Sequence, residues 1–249
     1  MDLIYKYHET LDAKQRKEQG AFFTPKVWVE QVHKLIESRV GRNWRECATV
    51  WDMACGAGAL TFGQEIKSLY CSGIEEPELE IVRETQPGAT VFNFDFLNDQ
   101  NEDLPEELLA ILESSRRKFV VVVNPPYGKT PAGARLLDEY AGLGRSRQEM
   151  AYLFLARCAD FAKRYQGEFH IVSITKSFYG LSTLPFLEYM GERLANTGGF
   201  MFNSNEFPAI TAQWPVLVTH WVNKQPHPLL GLDPICATYD VLERAKARV

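Results

Sequence analysis

The chain is short of cysteine, has no long apolar run and carries no surplus of positive charge, and each shortage excludes something. Its five cysteines stand at 47, 55, 71, 158 and 236, without the spacing of a disulfide framework or of paired metal ligands. No bound metal is expected, and a reducing cytoplasm is the natural setting. Apolar stretches all fall short of the roughly 18 residues a membrane span needs. Met1-Asp2-Leu3-Ile4-Tyr5-Lys6 lacks the layout of a secretion signal. The net charge is −5, whereas a self-sufficient nucleic-acid binder is usually basic. Any basic surface must therefore be local or come from a partner. Two ligand motifs are also missing. Asp52-Met53-Ala54-Cys55-Gly56-Ala57-Gly58 lacks the third glycine of the dinucleotide fingerprint, and no Gly-Lys-Ser/Thr follows it as in a phosphate loop. NAD and nucleoside triphosphates are poor candidates for the ligand.

What is present is an alternation of strand-like and helix-like segments, the pattern of a parallel sheet with crossover helices. With 249 residues, 45% of them hydrophobic, the chain can bury the core of one large α/β domain. Apolar residues at helical spacing run from about 26 to 40. Strands are expected at Val50–Ala54, Leu69–Glu75, Thr90–Asp95, Val120–Val123, Glu168–Ile174, Gly199–Phe202 and Val216–Val222. Pro77 opens the helix after the second, and a helix is expected after the Gly56/Gly58 turn. Gly128 to Arg147, rich in Gly, Pro, Ala and charge, reads as a long loop or a partly ordered segment. A single domain is expected, with a helical amino-terminal segment over 1–45, a Rossmann-like core over 46–225 and a tail over 226–249.

The strands end in polar residues suited to binding. Asp52, Glu75 and Asp95 close the first three, and the valine run stops at Asn124-Pro125-Pro126-Tyr127. In an open α/β sheet, ligands bind outside the carboxyl ends of the strands. There an acid can accept from ribose hydroxyls or an exocyclic amino group, and Phe94 and Phe96 can pack a flat ring. An amide, a rigid proline carbonyl and an aromatic ring suit a planar substrate bearing an amino group.

These residues, together with Gly20-Ala21-Phe22-Phe23-Thr24-Pro25 and Gly73-Ile74-Glu75, resemble the amino-methylating DNA methyltransferases. The similarity runs from about residue 14 to 222 and is greatest to the adenine-N6 enzymes of restriction–modification systems. It implies the class I methyltransferase fold, a mostly parallel seven-stranded sheet, with S-adenosylmethionine as cofactor. By resemblance, Phe22, Phe23, Thr24 and Pro25 touch the methionine portion, and Ala54, Cys55, Gly56 and Gly58 give it backbone contacts. Asp52 holds the turn or the amino group, Glu75 the ribose, Asp95 the adenine amino group, and Phe96 packs on the ring. Asn124, Pro125, Pro126 and Tyr127 form the catalytic tetrapeptide, with Asn124 also beside the cofactor. The partner implied is DNA, with a flipped adenine stacked on Tyr127 and walled by Phe207 or Trp214. Two departures, Met53 and Ala57 in the glycine turn, are tolerable. No separate target-recognition domain is expected, so a specificity subunit, relaxed specificity or further chain must account for sequence reading. A bacterial, phage or mobile-element setting is implied.

The tetrapeptide chemistry serves any planar amino group, so an RNA adenine, a protein glutamine amide and a non-catalytic subunit of the same fold remain alternatives. Arg135, Arg145 and Arg147 could grip phosphates or be solvated. His33, His170 and His220 lack ligand spacing and read as structural.

Overall fold

The computed structural model describes Ile4, residues 24–176, Phe178, residues 181–204 and residues 214–223. Phe22, Phe23, Phe207 and the tail over 226–249 lie outside the described residues. The strands are β1 (Ala48–Asp52), β2 (Ser68–Gly73), β3 (Thr90–Asn93), β4 (Lys118–Val123), β5 (Phe169–Lys176), β6 (Ala195–Asn203) and β7 (Pro215–Val222). They form one sheet of seven in the order β3-β2-β1-β4-β5-β7-β6. β1 to β5 pair in parallel, and β7 runs antiparallel between β5 and β6. The expected α/β architecture is present, with strand ends displaced by a few residues.

The helices are α1 (Lys26–Val40), α2 (Trp44–Cys47), α3 (Glu76–Thr85), α4 (Glu106–Ser114), α5 (Arg135–Glu139), α6 (Met150–Arg164) and α7 (Leu184–Gly191). They cover both faces of the sheet, which explains why the valine run does not alternate. Val121 and Val123 pack with α4, α6 and α7, while Val120 and Val122 pack with α1 and α3. Each fully buried valine stabilises by about 1.5–3 kcal/mol, so neither face tolerates a polar residue. α1 buries Val29, Val32, His33, Ile36 and Val40 along one stripe.

One sequence expectation is corrected and one alternative is decided. No helix follows the glycine turn: residues 53–63 run through successive turns before β2. Glycines with positive φ at 56, 58 and 63 interrupt any helical run there. Of the two readings of Gly128 to Arg147, the partly ordered segment holds. It contains α5 and a 3-10 stretch at Ala141–Gln148, anchored by buried Leu136, Tyr140 and Leu143. Those three apolar residues outweigh the surrounding glycine and charge.

Candidate active site

The strand order reverses between β1 and β4, the place where an α/β sheet opens a crevice. A cavity of about 470 Å³ lies there, within the roughly 300–1,000 Å³ usual for small-molecule sites. Of the residues singled out from sequence, Thr24, Ala54, Cys55, Gly56, Glu75, Asp95, Phe96, Asn124 and Pro126 line it together, as does Phe94. Pro25, Asp52, Gly58, Pro125 and Tyr127 do not.

The turn after β1 forms the floor. The Cys55 N–H donates to the Ser72 carbonyl at 2.9 Å. The Ser72 hydroxyl accepts from Trp51 Nε1 at 3.0 Å and donates to the Met53 carbonyl at 3.2 Å. These bonds tie the turn to β2. Gly56, at φ +52°, presents bare backbone to the cavity. Gly58, at φ +83°, instead faces α3, where Gln86 Nε2 donates to its carbonyl at 3.2 Å. A Cβ on Gly58 would sit 2.4 Å from that nitrogen. Its glycine requirement comes from this positive φ, which an L side chain rarely adopts, together with the close approach of α3.

The acids differ in their surroundings. Glu75 stands at the N-cap of α3, half-buried at the rim. Asp95 accepts from the Leu97 N–H at 2.9 Å and from Asn98 Nδ2 at 2.7 Å, which shapes the turn after β3. Asp52 is fully buried and neither carboxylate oxygen has a hydrogen-bond partner. Burial pushes its carboxyl up to about 7, and the nearby Ala54 N–H, which does not reach hydrogen-bond geometry, offsets this only in part.

At the end of β4, the Asn124 amide donates from Nδ2 to Thr24 Oγ1 at 3.1 Å. Thr24 is buried just before α1, so this bond joins the amino-terminal segment to the sheet. Tyr127 is placed differently from expectation. Its ring is buried and its hydroxyl donates to the Ile174 carbonyl of β5 at 3.2 Å. Tyr127 is buried and is not among the residues that line the cavity. Trp214 packs against the apolar cluster around Trp28, away from the cavity.

The arginines are largely spoken for. Arg135 bonds the main-chain carbonyls of Asn98 and Asp99 and pairs with Glu139. Arg147 donates to the Leu137 carbonyl at 2.7 Å, while Arg145 is exposed. Two residues escaped the sequence reading. Glu78, buried in the first turn of α3, lines the cavity. Its only sequence signal is an acid three residues after Glu75, which reads as an ordinary helix-dipole partner. Arg157, buried in α6, donates to the carbonyls of Phe96 and Asp99 and to Asn101 Oδ1. Its guanidinium also lies over the rings of Phe94 and Phe96. A lone cation within the apolar run of α6 was the signal available. His33 Nε2 donates to the Leu60 carbonyl at 2.7 Å, and His170 contacts His220, both inside the core.

No family model matches the chain, and no curated protein is similar to it in sequence. Solved structures are similar in fold. One, from Listeria monocytogenes, is assigned to the class I S-adenosylmethionine-dependent methyltransferases; its TM-score is 0.60 at 14% identity, over 90% of this chain and 67% of that one. Another is assigned as the modification subunit of a type I restriction enzyme from Vibrio vulnificus, with a TM-score of 0.59 at 16% identity over 90% of this chain and 49% of that one. The type IIL restriction-modification enzyme MmeI, solved with DNA, gives 0.59 at 13% identity over 88% of this chain and 39% of that one. The chain thus spans half or less of the two restriction–modification proteins' lengths. These likenesses show the class I methyltransferase fold. Among the described residues no helix is long and apolar enough to cross a membrane.

Proposed function

We propose that the chain is the catalytic domain of an S-adenosylmethionine-dependent DNA methyltransferase of the restriction–modification kind, acting on adenine N6. The observation that carries this reading is the convergence of Asn124, Glu75 and Asp95 on one cavity at the sheet's switch point. The donor set fits the cofactor: bare backbone at Gly56, acids at two strand ends, and apolar walls from Phe94 and Phe96. Thr24, Cys55 and Gly56 would hold the methionine portion and Glu75 the ribose hydroxyls. Asp95 has lone pairs beyond its two local bonds to accept the adenine amino group. Bound there, S-adenosylmethionine supplies an electrophilic methyl group.

The chain's own task is to make a weak nucleophile attack. Adenine N6 is poorly nucleophilic because its lone pair is delocalised into the ring. The Asn124 carboxamide oxygen, which lines the cavity, would accept one of its N–H bonds and, as the resemblance implies, the neighbouring Pro125 carbonyl the other, drawing the nitrogen toward a tetrahedral shape. Positioning and electrostatic complementarity supply the rate. Thr24, by fixing the amide nitrogen, sets which end of Asn124 is the acceptor. A base within duplex DNA must be flipped out to reach this site, at a cost of roughly a few kcal/mol.

The chain's net charge of −5 and its partial coverage of the restriction–modification proteins support target reading by a separate subunit or domain. The test is transfer of labelled methyl groups to duplex DNA, RNA and protein, followed by sequencing of modified bases in DNA from expressing cells. N6-methyladenine in DNA is the expected product. Label confined to RNA or to glutamine amides would reassign the substrate, and cofactor binding without transfer would indicate a non-catalytic subunit.

A further inference from the structure

Glu78 has no part in the reading above, yet it is the most buried acid lining the cavity. It is 7% exposed, and its Oε1 has no hydrogen-bond partner. Its Oε2 lies 3.6 Å from where a Cβ on Gly56 would stand, so the glycine leaves the carboxylate room beside the turn. Asp52, at the end of β1 under the same turn, is also buried with neither oxygen partnered. The titratable groups that face Glu78 are Glu75 from its own helix and the Cys55 thiol from the turn. Cys55 in turn feels Asp52 and Cys71. None of these is a cation, and among the described residues neither Glu78 nor Asp52 enters an ion pair. A buried carboxylate without a countercharge is strongly unfavourable. No cluster of ligand-type side chains able to hold a metal ion exists among the described residues. Without a ligand a proton neutralises the carboxyl, and with one bound an organic cation can take the proton's place.

We propose that Glu78, backed by Asp52, is the cation-receiving wall of the cofactor site and gives it a preference for a sulfonium donor over the neutral thioether left after transfer. The inference rests on the proposed function. Glu78 stands beside Gly56, assigned to the methionine portion, and close enough to Glu75, assigned to the ribose, to feel its charge. The sulfonium is the atom that joins those two portions. A site with this charge holds the donor and releases the product, because methyl transfer removes one positive charge from the ligand.

Calorimetric titration with S-adenosylmethionine and S-adenosylhomocysteine tests this, using the wild type and Glu78→Gln at pH 6 and pH 8. The wild type is expected to favour the donor at pH 8, and Glu78→Gln to weaken the donor about tenfold while the product changes less than about threefold. Burial and the Glu75 charge push the Glu78 carboxyl up to about 7. The wild-type preference should therefore shrink at pH 6, where the carboxyl is protonated, and the variant should show a clearly smaller shift, what remains coming from Asp52, whose carboxyl is also held up to about 7. Glu78→Asp, which keeps the charge, should retain most of the preference and serves if the glutamine variant fails to fold. Equal weakening of both ligands, or an unchanged ratio, would overturn the inference while leaving the proposed function standing. A wild type that binds neither ligand would overturn both.

Discussion

Asn124 and Thr24, a hundred residues apart in sequence, meet through a 3.1 Å hydrogen bond from the amide nitrogen to the threonine hydroxyl. The bond converts an otherwise two-way side chain into one whose carboxamide has a defined orientation. It also means that the segment before α1 takes part in aligning the group at the end of β4.

Thr24→Val removes the acceptor while keeping the shape of the side chain. It should lower kcat by about tenfold, the effect of roughly 1.4 kcal/mol of lost orientation, with cofactor affinity changed only a few-fold. Asn124→Ala should abolish turnover and still bind cofactor within a few-fold. Turnover retained by the alanine variant in a methyl-transfer assay would contradict the role given to Asn124.

Gly58→Ala should destabilise the fold by about 1–3 kcal/mol in urea denaturation. A Cβ there meets Gln86 Nε2 at 2.4 Å and must also adopt φ +83°. Gln86→Ala in the same chain should restore only part of the loss, since it relieves the contact and leaves the backbone strain. Full recovery would mean that strain contributes nothing.

Asp52 makes the unliganded protein sensitive to pH. Its carboxyl is held up to about 7 against an ordinary 3.8, so the folded state keeps a proton that the unfolded chain releases. Its contribution to stability is therefore best below about pH 4, declines as pH rises toward 7, and is flat above that. The full effect is on the order of 4 kcal/mol. Asp52→Asn should raise the stability of the unliganded protein at pH 8 and change it little near pH 4. Equal melting gains at both pH values would show that the burial of charge is not the cause.

Arg157→Met should cost about 2–4 kcal/mol, because it leaves the Phe96 carbonyl and Asn101 Oδ1 without their buried donor and the Asp99 carbonyl with Arg135 alone. Since those acceptors frame the turn holding Asp95 and Phe96, cofactor affinity should fall as well. Thermal melting with and without cofactor separates the two effects.

The strands and the acids at their tips were legible because a strand buried on both faces must be apolar throughout and must stop where polarity returns. Val120–Val123 followed by Asn124 states both facts in a single run. Glu75, Asp95 and Asn124 therefore came from sequence alone, and the sheet's order brings their cavity together. Tyr127 was less legible. Adjacency to Pro126 said nothing of which way the ring turns, or that its hydroxyl meets the Ile174 carbonyl on another strand.

By itself, then, the sequence determined the parallel sheet, its polar strand tips and the amide at the end of β4, since these follow from local periodicity and from where it breaks. Only the tertiary structure decided that Glu78 is buried beside Gly56, that Arg157 braces the turn after β3, and that Thr24 orients Asn124. Those are contacts between segments far apart in the chain. Their energies depend on desolvation and on partners that no neighbouring residue can reveal.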